Sequence, residues 1–168
     1  MTNNVKGDRK AAQAQPAGPH QTVIDETIAQ HAALPGALLV VLHAIQDRIG
    51  FVPPEALPRI AQALNLSRAE VHGVVTFYHD FRTSPPGRHV VRLCQAEACQ
   101  SMGSEALAAH AKARLGVDFH ETSATSGVTL EAVYCLGNCA CSPALTVDGR
   151  VHGRMTAERF DRLVEALE

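Results

Sequence analysis

Apolar positions recur at helical spacing from about residue 22 to 80, and then the period changes. Val23, Ile24, Thr27 and Ile28 predict a short first helix. Leu38, Leu39, Leu42, Ile45 and Ile49 predict a second, ended by Gly50 as a natural left-handed stop. Pro53-Pro54 starts a third helix with Leu57, Ile60, Ala61 and Leu64 as its apolar stripe. Pro58 falls near its first turn, where a missing N–H costs least. Ser67-Arg68-Ala69-Glu70 has capping-box spacing and opens a fourth helix through Val71, Val74 and Val75. Residues 21–87 therefore read as a helical bundle, punctuated at its end by Pro85-Pro86-Gly87.

Residues 88–168 alternate elements. His89 to Leu93 predicts a strand that delivers Cys94. Ser104 to Leu115 predicts a helix with Ala106, Leu107, His110, Ala111 and Leu115 inward, stopped by Gly116. Val117-Asp118-Phe119 reads as a short strand. Val128 to Tyr134 reads as a longer one, with Val128, Leu130, Ala132 and Tyr134 on one face, delivering Cys135. Leu145-Thr146-Val147, the Asp148-Gly149 turn and Val151 predict a hairpin. Thr156 is placed to cap a final helix with Phe160, Leu163, Val164 and Leu167 inward. The order β-α-β-β-β-α after a helical bundle gives an α+β chain whose second part resembles a thioredoxin-like sandwich. Residues 1–20 are polar and rich in small residues, which predicts a flexible tail.

Composition narrows the function classes. The 15 Lys and Arg against 17 Asp and Glu leave a net charge of −2, so no nucleic acid or anionic membrane partner is expected. The longest apolar run, Ala37 to Leu42, falls far short of the ~18 residues of a membrane span. No apolar segment follows the charged N-terminus, so the expectation is a cytoplasmic protein.

The five cysteines carry the chemistry. An odd count without a secretory signal argues against a disulfide framework, and the spacing argues for metal. Cys94-x₄-Cys99 and Cys135-x₃-Cys139 each follow a predicted strand, in loops rich in small residues that let backbone N–H groups turn inward. A 2Fe-2S cluster needs such donors, because its thiolates and sulfides carry about −2 charge oxidised and −3 reduced. Two separated pairs give two thiolates to each iron. Cys₄ zinc is the competing reading, making a zinc-stapled interaction module. Thioredoxin-type redox chemistry wants Cys-x-x-Cys, which is missing. Cys141 reads as a packing thiol.

Gly73-Val74-Val75-Thr76-Phe77-Tyr78, the Cys94-x₄-Cys99 loop, and Cys135-Leu136-Gly137-Asn138-Cys139 followed by Ser142-Pro143-Ala144 make the chain recognisable. From about residue 22 to 168 it resembles the thioredoxin-like 2Fe-2S subunit family of NADH:quinone oxidoreductase (complex I). Gln95-Ala96-Glu97-Ala98 and Leu136-Gly137-Asn138 look most like the family's NAD-dependent formate dehydrogenase branch, the gamma subunits. The resemblance implies an electron-transfer subunit with one 2Fe-2S cluster held by Cys94, Cys99, Cys135 and Cys139, without activity of its own. It further implies a partner subunit that binds flavin mononucleotide (FMN) and NAD, and a large catalytic subunit with a molybdenum or tungsten cofactor. A peripheral subunit of NADH:quinone oxidoreductase or of an NAD-linked hydrogenase is the alternative.

Other motifs have blander readings. Leu64 to Val71 looks like the corner of a helix-turn-helix, but only Arg68 is basic near the reading helix, and Glu70 and Asp80 oppose phosphate. None of the histidines lies within a cysteine loop, which argues against Rieske ligation. Phe77-Tyr78 fits either a partner contact or closure of the bundle core. No glycine-rich phosphate loop follows a strand, so flavin and NAD are expected elsewhere.

Overall fold

The computed structural model describes residues 18–167, and the chain divides into two compact units between Thr83 and Ser84. Most of the tail expected over residues 1–20 lies outside the described residues. Among the described residues no helix is long and apolar enough to cross a membrane.

The first unit holds α1 (Gln21–His31), α2 (Ala37–Ile49), α3 (Ala56–Ala63) and α4 (Arg68–Phe77). Their apolar stripes meet in a core of Ile24, Val41, Leu42, Ile45, Val52, Ile60, Val71 and Val75, closed by Phe81. The capping box forms as its spacing predicts. Ser67 Oγ accepts from the Glu70 N–H at 3.2 Å, and Glu70 Oε2 accepts from the Ser67 N–H at 2.7 Å. The Ser67 backbone N–H, and after it the Ser67 hydroxyl, hold the Glu70 carboxyl below the usual glutamate range. In α2 the stripe is rotated from the expected one: Val41 is fully buried while Leu39 is exposed. Gln46, buried on the same helix, donates to the Asp80 carbonyl and accepts from the Arg82 N–H. Its amide thereby pins the segment carrying Phe81. Phe77 is 72% exposed and stacks edge-on against Tyr78, so the aromatic closure of the core falls to Phe81.

The second unit is built on a five-stranded mixed sheet of order β2-β3-β1-β4-β5. The strands are β1 (His89–Cys94), β2 (Glu121–Thr122), β3 (Val128–Val133), β4 (Leu145–Val147) and β5 (Arg150–His152). β1 and β3 run parallel, and the remaining pairs are antiparallel. Helices α5 (Glu97–Ser101) and α6 (Ser104–Leu115) follow β1, and α7 (Ala157–Glu165) follows the hairpin. Val91, Leu93, Val128, Leu130, Leu145 and Val147 alternate onto one face of the sheet. There they pack with Leu107, Ala111 and Leu115 of α6 and Phe160 and Val164 of α7.

Local chemistry explains where the pattern misleads. The strand expected at Val117–Phe119 is a turn: Asp118 accepts from the Phe119 N–H, and Glu121 from the Asp118 N–H. Such side-chain bonds compete with a ladder. The short strand begins only at Glu121. On α6, Ala106 is exposed and Ala108 is buried in its place. His110 is only half-buried, paired with Asp161 of α7 at 2.7 Å. Tyr134 does not continue the buried face of β3. The strand ends at Val133 and the ring is 76% exposed.

The β4–β5 hairpin turns at Asp148 and Gly149, both with positive φ (49° and 84°), the geometry that matches strand twist. Asp148 also ties the hairpin to β1, accepting from the Val90 N–H and from His89 Nδ1, each at 2.8 Å. Burial pushes its carboxyl upward, but His89 and the Val90 N–H outweigh that and hold it below the usual aspartate range. A depressed folded-state pKa gives stability that is complete above the unfolded value of about 3.9 and is lost as pH falls through the folded value. Asp148→Asn should therefore flatten the loss of stability between pH 4 and the acid limit (about that window). Denaturant midpoints at successive pH values check this; an unchanged acid limb contradicts it.

Candidate metal centre

Parallel pairing does the first part of the assembly. In the β1–β3 register Cys94 lies opposite Val133, so both strands finish at the same end of the sheet. Two residues beyond Val133 the chain reaches Cys135, and Cys94 is already the last residue of β1. The Gln95 N–H donates to the Val133 carbonyl at 2.8 Å and the Cys94 N–H to the Ala144 carbonyl at 3.0 Å. Both cysteine loops are thus stitched together at their roots.

The first pair does not sit wholly in a loop, as its sequence implies. Cys99 lies within α5, a five-residue helix entered by an extended Ala96. Cys94 and Cys99 are both buried, packed with Ala144 and flanked by Ala96, Val133 and Leu136. Cys135 and Cys139 are exposed. Cys135 adopts φ 98°, a left-handed conformation that costs a non-glycine residue about 1–3 kcal/mol. The bend lets the Gly137 N–H donate to Cys135 Sγ at 3.4 Å, and Gly137 itself has φ 73°. Cys139 opens a single 3-10 turn through Cys141.

The two exposed sulfurs lie 3.7 Å apart. Tetrahedral coordination with metal–sulfur bonds of about 2.3 Å sets neighbouring sulfurs about 3.8 Å apart, so this pair fits one metal ion. The Cys139 thiol is held above the ordinary cysteine range. Its contact with Cys135 and that thiolate's charge come first, then desolvation, then the charges of Cys99 and Cys94. Cys139 is therefore near enough to the other three cysteines to feel their charge. A core of two ferric ions and two sulfides would bring about +2 charge, offsetting that repulsion and leaving four thiolates with their core near −2. The donor set fits a dinuclear cluster.

Cys141 is half-buried and lies against Gly153, where an added β-carbon would fall 2.7 Å from the Cys141 Cβ. That placement agrees with a packing thiol. Ser142 has a part in the site that its type alone does not announce. Its buried hydroxyl donates to the Cys139 carbonyl at 2.8 Å and accepts from the Cys99 thiol at 3.5 Å. If Cys99 binds a metal as thiolate, its proton released to solvent, the single Ser142 proton must choose between that carbonyl and the Cys99 sulfur. A bond to sulfur favours the more negative, reduced cluster. Ser142→Ala is thus expected to lower the reduction potential by tens of millivolts in a redox titration. An unchanged potential contradicts a hydroxyl–sulfur bond.

The profile of the thioredoxin-like 2Fe-2S ferredoxin family matches residues 24–168. A subunit of the NADH-quinone oxidoreductase of Pseudomonas aeruginosa is 35% identical over 130 residues, covering 77% of this chain and 78% of that protein. A subunit of the same kind of enzyme from Rhizobium meliloti is also 35% identical, over 143 residues and 85% of each chain. Among solved structures, an NAD+-reducing NiFe-hydrogenase in its air-oxidised state superposes with a TM-score of 0.64 at 28% identity. The superposition covers 82% of this chain but only 24% of the hydrogenase chain, so this protein spans about a quarter of that neighbour.

Proposed function

We propose a role for this chain, which belongs to the thioredoxin-like 2Fe-2S ferredoxin family and whose cofactor is one 2Fe-2S cluster: it is an electron-transfer subunit of an NAD-linked oxidoreductase complex. The observation that carries the reading is the placement of both cysteine pairs at the ends of the parallel strands β1 and β3, with the Cys135 and Cys139 sulfurs 3.7 Å apart. Those four residues hold the cluster. When bound, the cluster accepts and returns one electron at a time. The chain supplies what surrounds that exchange: Cys94 and Cys99 root the site in the interior, and Cys135 and Cys139 present it at the surface. The Gly137 N–H stabilises charge on Cys135.

NADH exchanges two electrons, so a flavin in a partner subunit that also binds NAD must split or combine them. The named relatives favour a complex of the NADH-quinone oxidoreductase or NAD+-reducing hydrogenase kind. This displaces the formate dehydrogenase expected from the loop residues as the first choice. The formate reading, with its molybdenum- or tungsten-containing subunit, keeps the support of Gln95–Ala98 and Leu136–Asn138 alone. We place the assembly in the cytoplasm or on its side of a membrane.

A tagged copy purified from its native cells tests the choice. A flavin subunit with NADH oxidation is expected, together with quinone reductase or hydrogenase subunits. A molybdenum or tungsten subunit with formate-dependent NAD+ reduction would move the assignment to the formate branch. Purification with no flavin protein at all would overturn the proposed role.

A further inference from the structure

The second cysteine loop is held from below by a backbone strap that neither its sequence nor the cluster ligands reveal. Residues 153–155 link β5 to α7. The Arg154 N–H donates to the Cys141 carbonyl at 2.6 Å and the Met155 N–H to the Pro143 carbonyl at 3.0 Å. These two acceptors bracket Ser142, the residue that bonds both Cys139 and Cys99. The strap approaches closely because position 153 has no side chain. A β-carbon there would lie 2.7 Å from the Cys141 Cβ, 2.8 Å from the Cys141 carbonyl oxygen and 2.8 Å from Asn138 Nδ2. Two of these three atoms belong to the turn that carries Cys139, and the third to the residue just before it.

The strap is itself fixed from α7. Arg159 Nη1 donates to the Gly153 carbonyl at 3.0 Å and to the Arg154 carbonyl at 2.6 Å. Arg159 is exposed but precedes Phe160, which is fully buried in the core of the same unit. Its charge strengthens bonds to carbonyl dipoles relative to neutral donors. Carbonyls engaged in this way also polarise the peptide N–H groups of Arg154 and Met155, which face the cysteine loop. Arg154 takes φ 51°, a left-handed value that two flanking hydrogen bonds help to impose.

We propose that Arg159 is a positioning residue for the cluster, acting through the Gly153–Met155 backbone to set the place of the Cys139–Cys141 turn. Glycine at 153 is required for the same contact. The inference rests on the cluster assignment above but makes a claim of its own about the cluster-free chain.

Three full-length variants test it: Arg159→Gln, Arg159→Lys and Gly153→Ala. In the cluster-free chain, amide exchange at Cys141, Arg154 and Met155 should rise in Arg159→Gln while the amides of β1 and β3 keep their wild-type rates. Arg159→Lys, which keeps a charged donor, should restore much of the protection. In the loaded chain, iron release to a ferrous chelator after dithionite reduction should accelerate about tenfold in Arg159→Gln and at least as much in Gly153→Ala, the scale on which outer residues alter metal affinity. Wild-type exchange and release rates in Arg159→Gln would overturn the proposal, as would a uniform rise across β1 and β3, which marks general destabilisation. A wild-type chain that binds no iron would instead overturn the cluster reading, with the exchange data still judging the strap.

Discussion

Replacing Cys135 with Ser abolishes the visible absorption of the loaded protein, or redraws it together with the electron paramagnetic resonance spectrum of the reduced form. This is the largest functional effect we expect of a single substitution. A serine oxygen is a harder and poorer ligand for iron than thiolate, and it protonates at neutral pH where the cysteine would bind as thiolate. The site gives the loss no compensation. The Gly137 N–H that donates to Cys135 Sγ would meet a smaller atom on a shorter bond, and the 3.7 Å spacing to Cys139 would no longer match a metal–sulfur edge. Cys141 cannot step in without leaving its seat against Gly153. Because Cys135 is exposed and its loop carries little of the core, the fold should survive. Circular dichroism of the variant should therefore match the wild type while the iron content falls. A variant with a wild-type spectrum and full iron content would remove Cys135 from the ligand set.

Phe160→Ala has the largest expected effect on stability. Phe160 is the largest side chain with no exposure at all, and it packs against α6 and the buried sheet face while its ring meets His110 edge-on. Truncation removes the buried ring and leaves a cavity, a change that costs about 3–5 kcal/mol in comparable cores. That is a large share of the roughly 5–15 kcal/mol that holds a domain together. The consequence reaches the site, because α7 carries Arg159 and the strap leading to it. Denaturant titration followed at the cluster absorption should show a much lower midpoint. A shift below about 1 kcal/mol would mean that the core collapses around the vacancy far more easily than close packing allows.

Much of this architecture is legible along the chain, for identifiable reasons. The α6 limits, the Ser67–Glu70 box, the Asp148-Gly149 turn and the Thr156 cap are set by neighbours within four residues, so local chemistry decides them. The strand carrying Cys94 is visible because alternation and β-branched residues coincide at Val90-Val91. What escapes depends on longer reach. Helix α5 is only five residues, below the length at which a helical period can be recognised, so Cys99 looks like a loop residue. Tyr134 has the parity of a buried strand position, but the left-handed turn at Cys135 ends the ladder before parity applies. His110 reads as apolar-facing until Asp161 arrives from a helix far along the chain. Arg159 cannot be singled out and Gly153 hardly can, since their role exists only where the strap crosses the cysteine turn. The one available signal is a glycine placed between a hairpin and a capped helix.

The choice of complex is the least legible feature. Four short loop residues and a Leu-Gly-Asn tripeptide point to formate dehydrogenase, whereas similarity over most of the chain points to NADH-quinone oxidoreductase subunits. The proposed cluster site draws on the residues of one chain; the reaction it would serve is set by partners whose contacts leave no period and no spacing in this sequence.

The central claim is that Cys94, Cys99, Cys135 and Cys139 hold a single 2Fe-2S cluster. Iron, acid-labile sulfide and zinc should be quantified on the anaerobically purified chain, with spin counting after dithionite reduction. The account predicts two irons and two sulfides per chain and a single unpaired spin in the reduced form. Four irons per chain, or stoichiometric zinc without sulfide, would contradict it.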